Sequence, residues 1–153
     1  MLPSYFTWGQ NMPEQRSNLE SIFLLDRIVL LDASNLYARS VSLSHSTFSL
    51  LECLAQSAAY HARFRCSLTK HAFLAEYADI SLPASPPTGS IDLRVTLTGS
   101  SGLASSYHGS ALHNNVEICS GKVLIGLRDY DSTFRRDILQ PHYERILQCL
   151  QNA

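Results

Sequence analysis

The sequence predicts an α+β domain in which an antiparallel sheet wraps around one long central helix. Three observations point there. Residues 49–64 (SLLECLAQSAAYHARF) carry the only long helical period, with Leu51, Leu54, Ala55, Ala58, Ala59 and Ala62 recurring at spacings of three and four. That stripe is apolar but small, and its four alanines let a second surface approach the helix backbone closely, as a curved sheet does. Stretches of period two lie on both sides of the helix and are separated by glycine-, proline- and asparagine-rich turns.

Taken in order, residues 1–17 mix aromatics, prolines and polar residues without a period and read as an irregular arm. Residues 24–32 are rich in Leu, Ile and Val, as in a strand buried on much of its surface. Asp26 and Arg27 interrupt that run as a local ion pair or a strand edge. Residues 35–44 alternate, with Leu36, Ala38, Ser40 and Ser42 on one side, and make a second strand running back. After the helix, residues 71–82 have a mixed pattern. They are assigned as a strand because residues 83–89 (PASPPTG) can only be a loop and further strands follow. Ile91, Leu93, Val95 and Leu97 alternate with polar residues, and residues 99–102 turn the chain. Residues 103–113 and 116–127 are then joined by Asn114-Asn115, whose tolerance of positive φ suits a two-residue hairpin turn. Pro141 divides the remainder, and Tyr143, Ile146, Leu147 and Leu150 beyond it have the spacing of a short amphipathic helix. The expected organisation is an arm (1–17), one domain (18–128) and a helical extension (129–153) packed on that same domain.

Composition narrows the function classes. A formal charge of −1 and a pI near 6.6 provide no broad basic surface for nucleic acid. No window reaches the ~18 consecutive apolar residues of a membrane span, and residues 1–10 lack the basic leader and apolar run of a signal peptide. A soluble, cytoplasmic protein is expected. Cys53, Cys66, Cys119 and Cys149 are scattered without a Cys-x-x-Cys pair, which argues against a zinc site and a disulfide framework. No metal and no cofactor are expected.

The carboxylate of Glu52 stands beside the apolar stripe, with Gln56 one turn on and projecting in nearly the same direction. Ser49 and Glu52 fit the capping-box pattern, which would make the carboxylate structural. A resemblance supplies the other reading. Residues 22–31 (IFLLDRIVLL) and 50–56 (LLECLAQ) resemble the two signatures of the 3-hydroxyacyl-ACP dehydratases of fatty-acid synthesis, and the likeness covers about residues 18–127. It implies the hot-dog fold, and Glu52 falls on the family's catalytic glutamate. The family pairs that glutamate with a histidine from the other subunit of a dimer, while backbone amides at the helix start polarise the thioester oxygen. Eight residues before Asp26, where that histidine belongs, this chain has Asn18, which cannot exchange a proton near neutral pH. The family's proline-glycine before the helix is also replaced, around Ser46 and Thr47.

His45, near the helix start, is the candidate substitute base. His61 faces away from Glu52, and His71, His108, His113 and His142 are read as satisfied or solvated. Glu52, Asn18 and His45 are thus the candidate catalytic residues, and Gln56, Thr47 and Phe48 the candidate substrate contacts. The resemblance implies an acyl-ACP or acyl-CoA thioester as substrate, and a homodimer or a heterodimer with another hot-dog subunit. Three activities fit: a dehydratase-like enzyme, a hot-dog thioesterase in which Glu52 activates water, and a non-catalytic acyl-binding or partner subunit.

Overall fold

The computed structural model describes residues 24–41 and 46–153. The arm, Asn18 and His45 lie outside the described residues. In chain order the elements are β1 (Arg27–Leu31), β2 (Asn35–Ser40), α1 (Thr47–Arg65), β3 (His71–Ser81), β4 (Ile91–Ser100), β5 (Ala104–His113), β6 (Val116–Arg128) and α2 (Arg136–Gln151). The six strands form one antiparallel sheet in the order β1-β2-β4-β5-β6-β3, so β1 and β3 are its edges.

Period-two patterning fixes which face looks inward. Leu36, Ala38 and Ser40 of β2 are buried opposite Val95, Leu93 and Ile91 of β4. Tyr107 and Ala111 of β5 and Cys119, Val123 and Ile125 of β6 continue that face across the sheet. Asn114 and Asn115 have φ of 50° and 63°, the left-handed backbone that a tight hairpin requires at both central positions.

Helix α1 lies across this inner face and touches β2, β3, β4, β5 and β6. Its small stripe is what permits the approach. Leu54, Ala55, Ala58 and Ala62 are buried, and a Cβ added at Gly109 of β5 would come within 3.3 Å of Leu54. Each fully buried leucine in such a core contributes about 1.5–3 kcal/mol.

The C-terminal half of α1 buries polar groups, each with a local solution. His61 is fully buried, with Nδ1 3.0 Å from the Tyr107 hydroxyl and Nε2 2.9 Å from the Asp32 carbonyl. The carbonyl can only accept, so Nε2 carries the proton and the Tyr107 hydroxyl donates to Nδ1. Burial holds the pKa of His61 below the usual histidine value. Two residues on, the buried Arg63 donates to the Ala72 carbonyl (3.0 Å), and its guanidinium lies 3.8 Å from the Tyr143 ring centroid and 4.9 Å from that of Tyr60. Tyr143 belongs to α2, so this cation–π stack helps to seat α2 on the domain, together with buried Ile146, Leu147 and Leu150. His71 stacks on Phe134 at 4.3 Å in the same cluster.

Four expectations are corrected. Ser49 and Glu52 do not form a capping box: the N-cap is Ser46, whose Oγ accepts from the Ser49 N–H at 3.0 Å. Pro141 does not divide the C-terminal segment but lies inside α2. It removes one i→i−4 bond, and the buried face beyond it keeps the helix continuous. Strand β1 begins at Arg27 and not at residue 24, because Leu24 spends its N–H on a side chain of α1 and Asp26 turns its carboxylate to the Val41 amide. His71 is neither solvated nor fully satisfied, since it is buried and its Nδ1 has no partner among the described residues.

Candidate active site at the start of the central helix

Helix α1 starts at Thr47 because the Ser46 Oγ caps it by accepting the Ser49 amide, and the Ser49 hydroxyl donates back to the Ser46 carbonyl at 2.8 Å, which fixes the entering turn. The helix geometry leaves the N–H groups of Thr47 and Phe48 without intrahelical acceptors, at the end where the helix dipole favours negative charge. Thr47 is half-buried, and the Phe48 ring is 76% exposed, unusual for so large an apolar group.

Glu52 stands beyond the first turn, exposed at the helix surface. Because Ser46 and Ser49 complete the cap without it, its carboxylate turns to Gln56, whose Nε2 donates to Oε1 at 3.0 Å. The other end of the same amide, Gln56 Oε1, accepts the Leu24 N–H, also at 3.0 Å. Tyr77 of β3 closes the other flank, its hydroxyl donating 3.0 Å to the Leu51 carbonyl. Burial first, and then the neighbouring Glu52 charge, push the Tyr77 phenol up to about 12, so it is a fixed donor at neutral pH. Behind Glu52, Cys53 is buried and desolvation raises its thiol to about 12, which rules it out as a neutral-pH nucleophile.

The arrangement offers one solvent-facing carboxylate held by an amide, with outward-pointing backbone N–H groups at the head of the same helix. Of the residues singled out from sequence, it brings together Glu52, Gln56, Thr47 and Phe48 on the first half of α1. Asn18 and His45 fall outside the described residues. No other histidine joins the site: His61 is internal, His71 and His142 lie with the α2 cluster, His113 sits 3.2 Å from the Ser90 carbonyl, and His108 is exposed on β5. Tyr77 and the Leu24 amide were missed by sequence reasoning. The Tyr77 position could have been found only from the period of β3, which bulges between Leu74 and Glu76 and so hides its alternation. Among the described residues no group of three His, Cys, Asp or Glu could hold a metal ion, and no helix is long and apolar enough to cross a membrane.

No protein-family model matches the chain, and no curated protein matches it in sequence. Solved structures do. The chain resembles the dehydratase heterocomplex ApeI:P of Xenorhabdus doucetiae at 12% identity and a TM-score of 0.62, over 74% of this chain and 86% of that one. It resembles a thioesterase of Pseudomonas aeruginosa, solved as a mutant, at 11% identity and 0.57, over 80% of this chain and 97% of that one. A mutant thioesterase enzyme of Staphylococcus aureus matches at 6% identity and 0.61, over 73% and 98% respectively. With the sheet order and the helix laid across its inner face, these likenesses make the chain a hot-dog fold. At such identities they speak to fold alone.

Proposed function

We propose that the protein acts on acyl thioesters as a 3-hydroxyacyl dehydratase-like enzyme, with Glu52 as its acid/base group. The observation that carries this reading is the release of Glu52 from capping: Ser46 and Ser49 complete the helix start, and the carboxylate is left exposed and oriented. Dehydration moves a proton from the carbon next to the thioester carbonyl to a base, while the departing 3-hydroxyl takes a proton from an acid and leaves as water. Glu52 takes one of these roles. The Thr47 and Phe48 amides receive the carbonyl oxygen as it gains negative charge; His45 is the candidate for the second proton-transfer role, and Asn18 in that place can only orient the substrate. The substrate is carried on acyl carrier protein or coenzyme A.

The site is completed by a second hot-dog subunit. Among the described residues strand β3 is an unpaired edge of eleven residues whose Phe73 and Leu74 are exposed, so a second copy or a paralogue can extend the sheet there. That one structural neighbour is a dehydratase heterocomplex supports the paralogue. Thioester hydrolysis is the second reading, favoured by the lack of any histidine beside Glu52 among the described residues, because activating water needs a single acid/base group.

The test is turnover of 3-hydroxyacyl and saturated acyl thioesters by the protein alone and with a second hot-dog subunit. Enoyl product that disappears in Glu52→Gln is expected. Free acid without enoyl product would select the hydrolase. If Asn18 stands in the histidine's place, Asn18→His should raise dehydration by about 10²–10⁴-fold, the usual worth of a general base.

A further inference from the structure

Gln56 uses both ends of its amide in one bridge. Its Nε2 donates to Glu52 Oε1 and its Oε1 accepts the Leu24 N–H, each at 3.0 Å. An N–H can only donate, so the amide oxygen must face Leu24 and the NH2 must face the carboxylate. The anchor at the Leu24 end is firm. Leu25 is 2% exposed in the core, and Asp26 bonds twice at the far end of β2, its N–H to the Arg39 carbonyl at 2.8 Å and its carboxylate to the N–H of Val41 just past the strand. The carboxylate of an exposed helix residue is thereby referred to the sheet and not only to its own helix.

We propose that Gln56 is a positioning residue, not a substrate contact: it fixes the Glu52 carboxylate against the chain entering β1 and transmits changes at that carboxylate to the Leu24 amide. The catalytic consequence rests on the function proposed above, whereas the bridge does not. Sequence reasoning placed Gln56 among the substrate contacts, and the geometry of its amide instead turns it inward.

Two measurements test this. In 15N-labelled protein titrated with acid, the Gln56 side-chain amide and the Leu24 backbone amide are expected to move together with one midpoint. Both movements should be lost in Glu52→Gln, which separates them from the nearby carboxylate of Asp26, and the Leu24 movement should also be lost in Gln56→Met. A Leu24 amide that stays still in the wild type, or moves equally in Gln56→Met, overturns the bridge whatever the activity. In turnover, Gln56→Met should lower kcat by about 10- to 100-fold with KM nearly unchanged, the usual effect of a displaced catalytic group. The double variant Glu52→Gln, Gln56→Met should be no slower than Glu52→Gln alone. A raised KM with unchanged kcat, or a further loss in the double variant, overturns the positioning role in favour of direct substrate contact. A wild type inactive on every thioester would count against the proposed function only, and the amide titration would still decide the bridge.

Discussion

The two halves of helix α1 treat their polar side chains in opposite ways. In the first half Glu52 is exposed and meets a neutral amide. In the second half His61 and Arg63 are buried, one between a tyrosine hydroxyl and a carbonyl, the other between aromatic rings and a carbonyl. Burial makes a charge expensive unless it is met, so the distal groups are committed to architecture: burial resists protonation of His61, and the Arg63 guanidinium is met by aromatic faces and a carbonyl. The proximal carboxylate is oriented but remains in contact with water. One helix therefore carries a solvent-facing end and a structural end, and a histidine on it marks the structural one.

The largest separation of the two ends should come from Glu52→Gln. It is expected to lower turnover by about 10²–10⁴-fold with a melting temperature close to wild type, because the carboxylate has no part in the cap. A large loss of stability with intact turnover would return Glu52 to the architecture. Arg63→Ala is the converse experiment. Removing the stack on Tyr143 and the bond to Ala72 should cost about 2–4 kcal/mol in urea melts, and the loss should centre on the seating of α2. Ala58→Leu overpacks the stripe that lets the sheet approach, at about 1–3 kcal/mol, and a neutral result would show that face to be loosely packed.

The smallest effect is a pH dependence confined to the distal end. Burial depresses the folded-state pKa of His61, His71 and His142, the last to about 4, with Arg63 adding to the depression at His71 and His142. The unfolded chain then binds more protons than the folded one below about 6.5. Stability should accordingly hold above that pH and fall as pH drops from about 6.5 toward about 4. Melts at pH 7.5 and 5.5 check this, and His71→Phe should flatten the slope. An unchanged slope would place the acid sensitivity at His61 and His142.

The sequence made the sheet and the central helix legible because each wrote a period: alternation in residues 91–98, and three-four spacing in residues 49–64. The paired asparagines of the last hairpin were equally readable. What stayed hidden was arbitration between neighbours. Ser46, Ser49 and Glu52 all belong to residue types that cap helices, and local spacing could not decide that the first two would leave the third unused. Glu52 and Gln56 were readable as a pair, but the Leu24 amide that orients Gln56 lies 32 residues away in the chain. The distal cluster was invisible for the same reason, since Arg63, His71, Phe134 and Tyr143 come from separate parts of the sequence and meet only after α2 docks.

Pro141 has a dynamic consequence for that docking. Without an amide proton it cannot link its turn of α2 to the carbonyl of Asp137, and the buried contacts of Ile146, Leu147 and Leu150 all lie beyond it. In amide hydrogen exchange the helix should therefore separate into two units. The turn from Arg136 to Gln140 should exchange quickly by fraying, while the stretch carrying Ile146 and Leu150 should be protected until α2 leaves the domain as a whole.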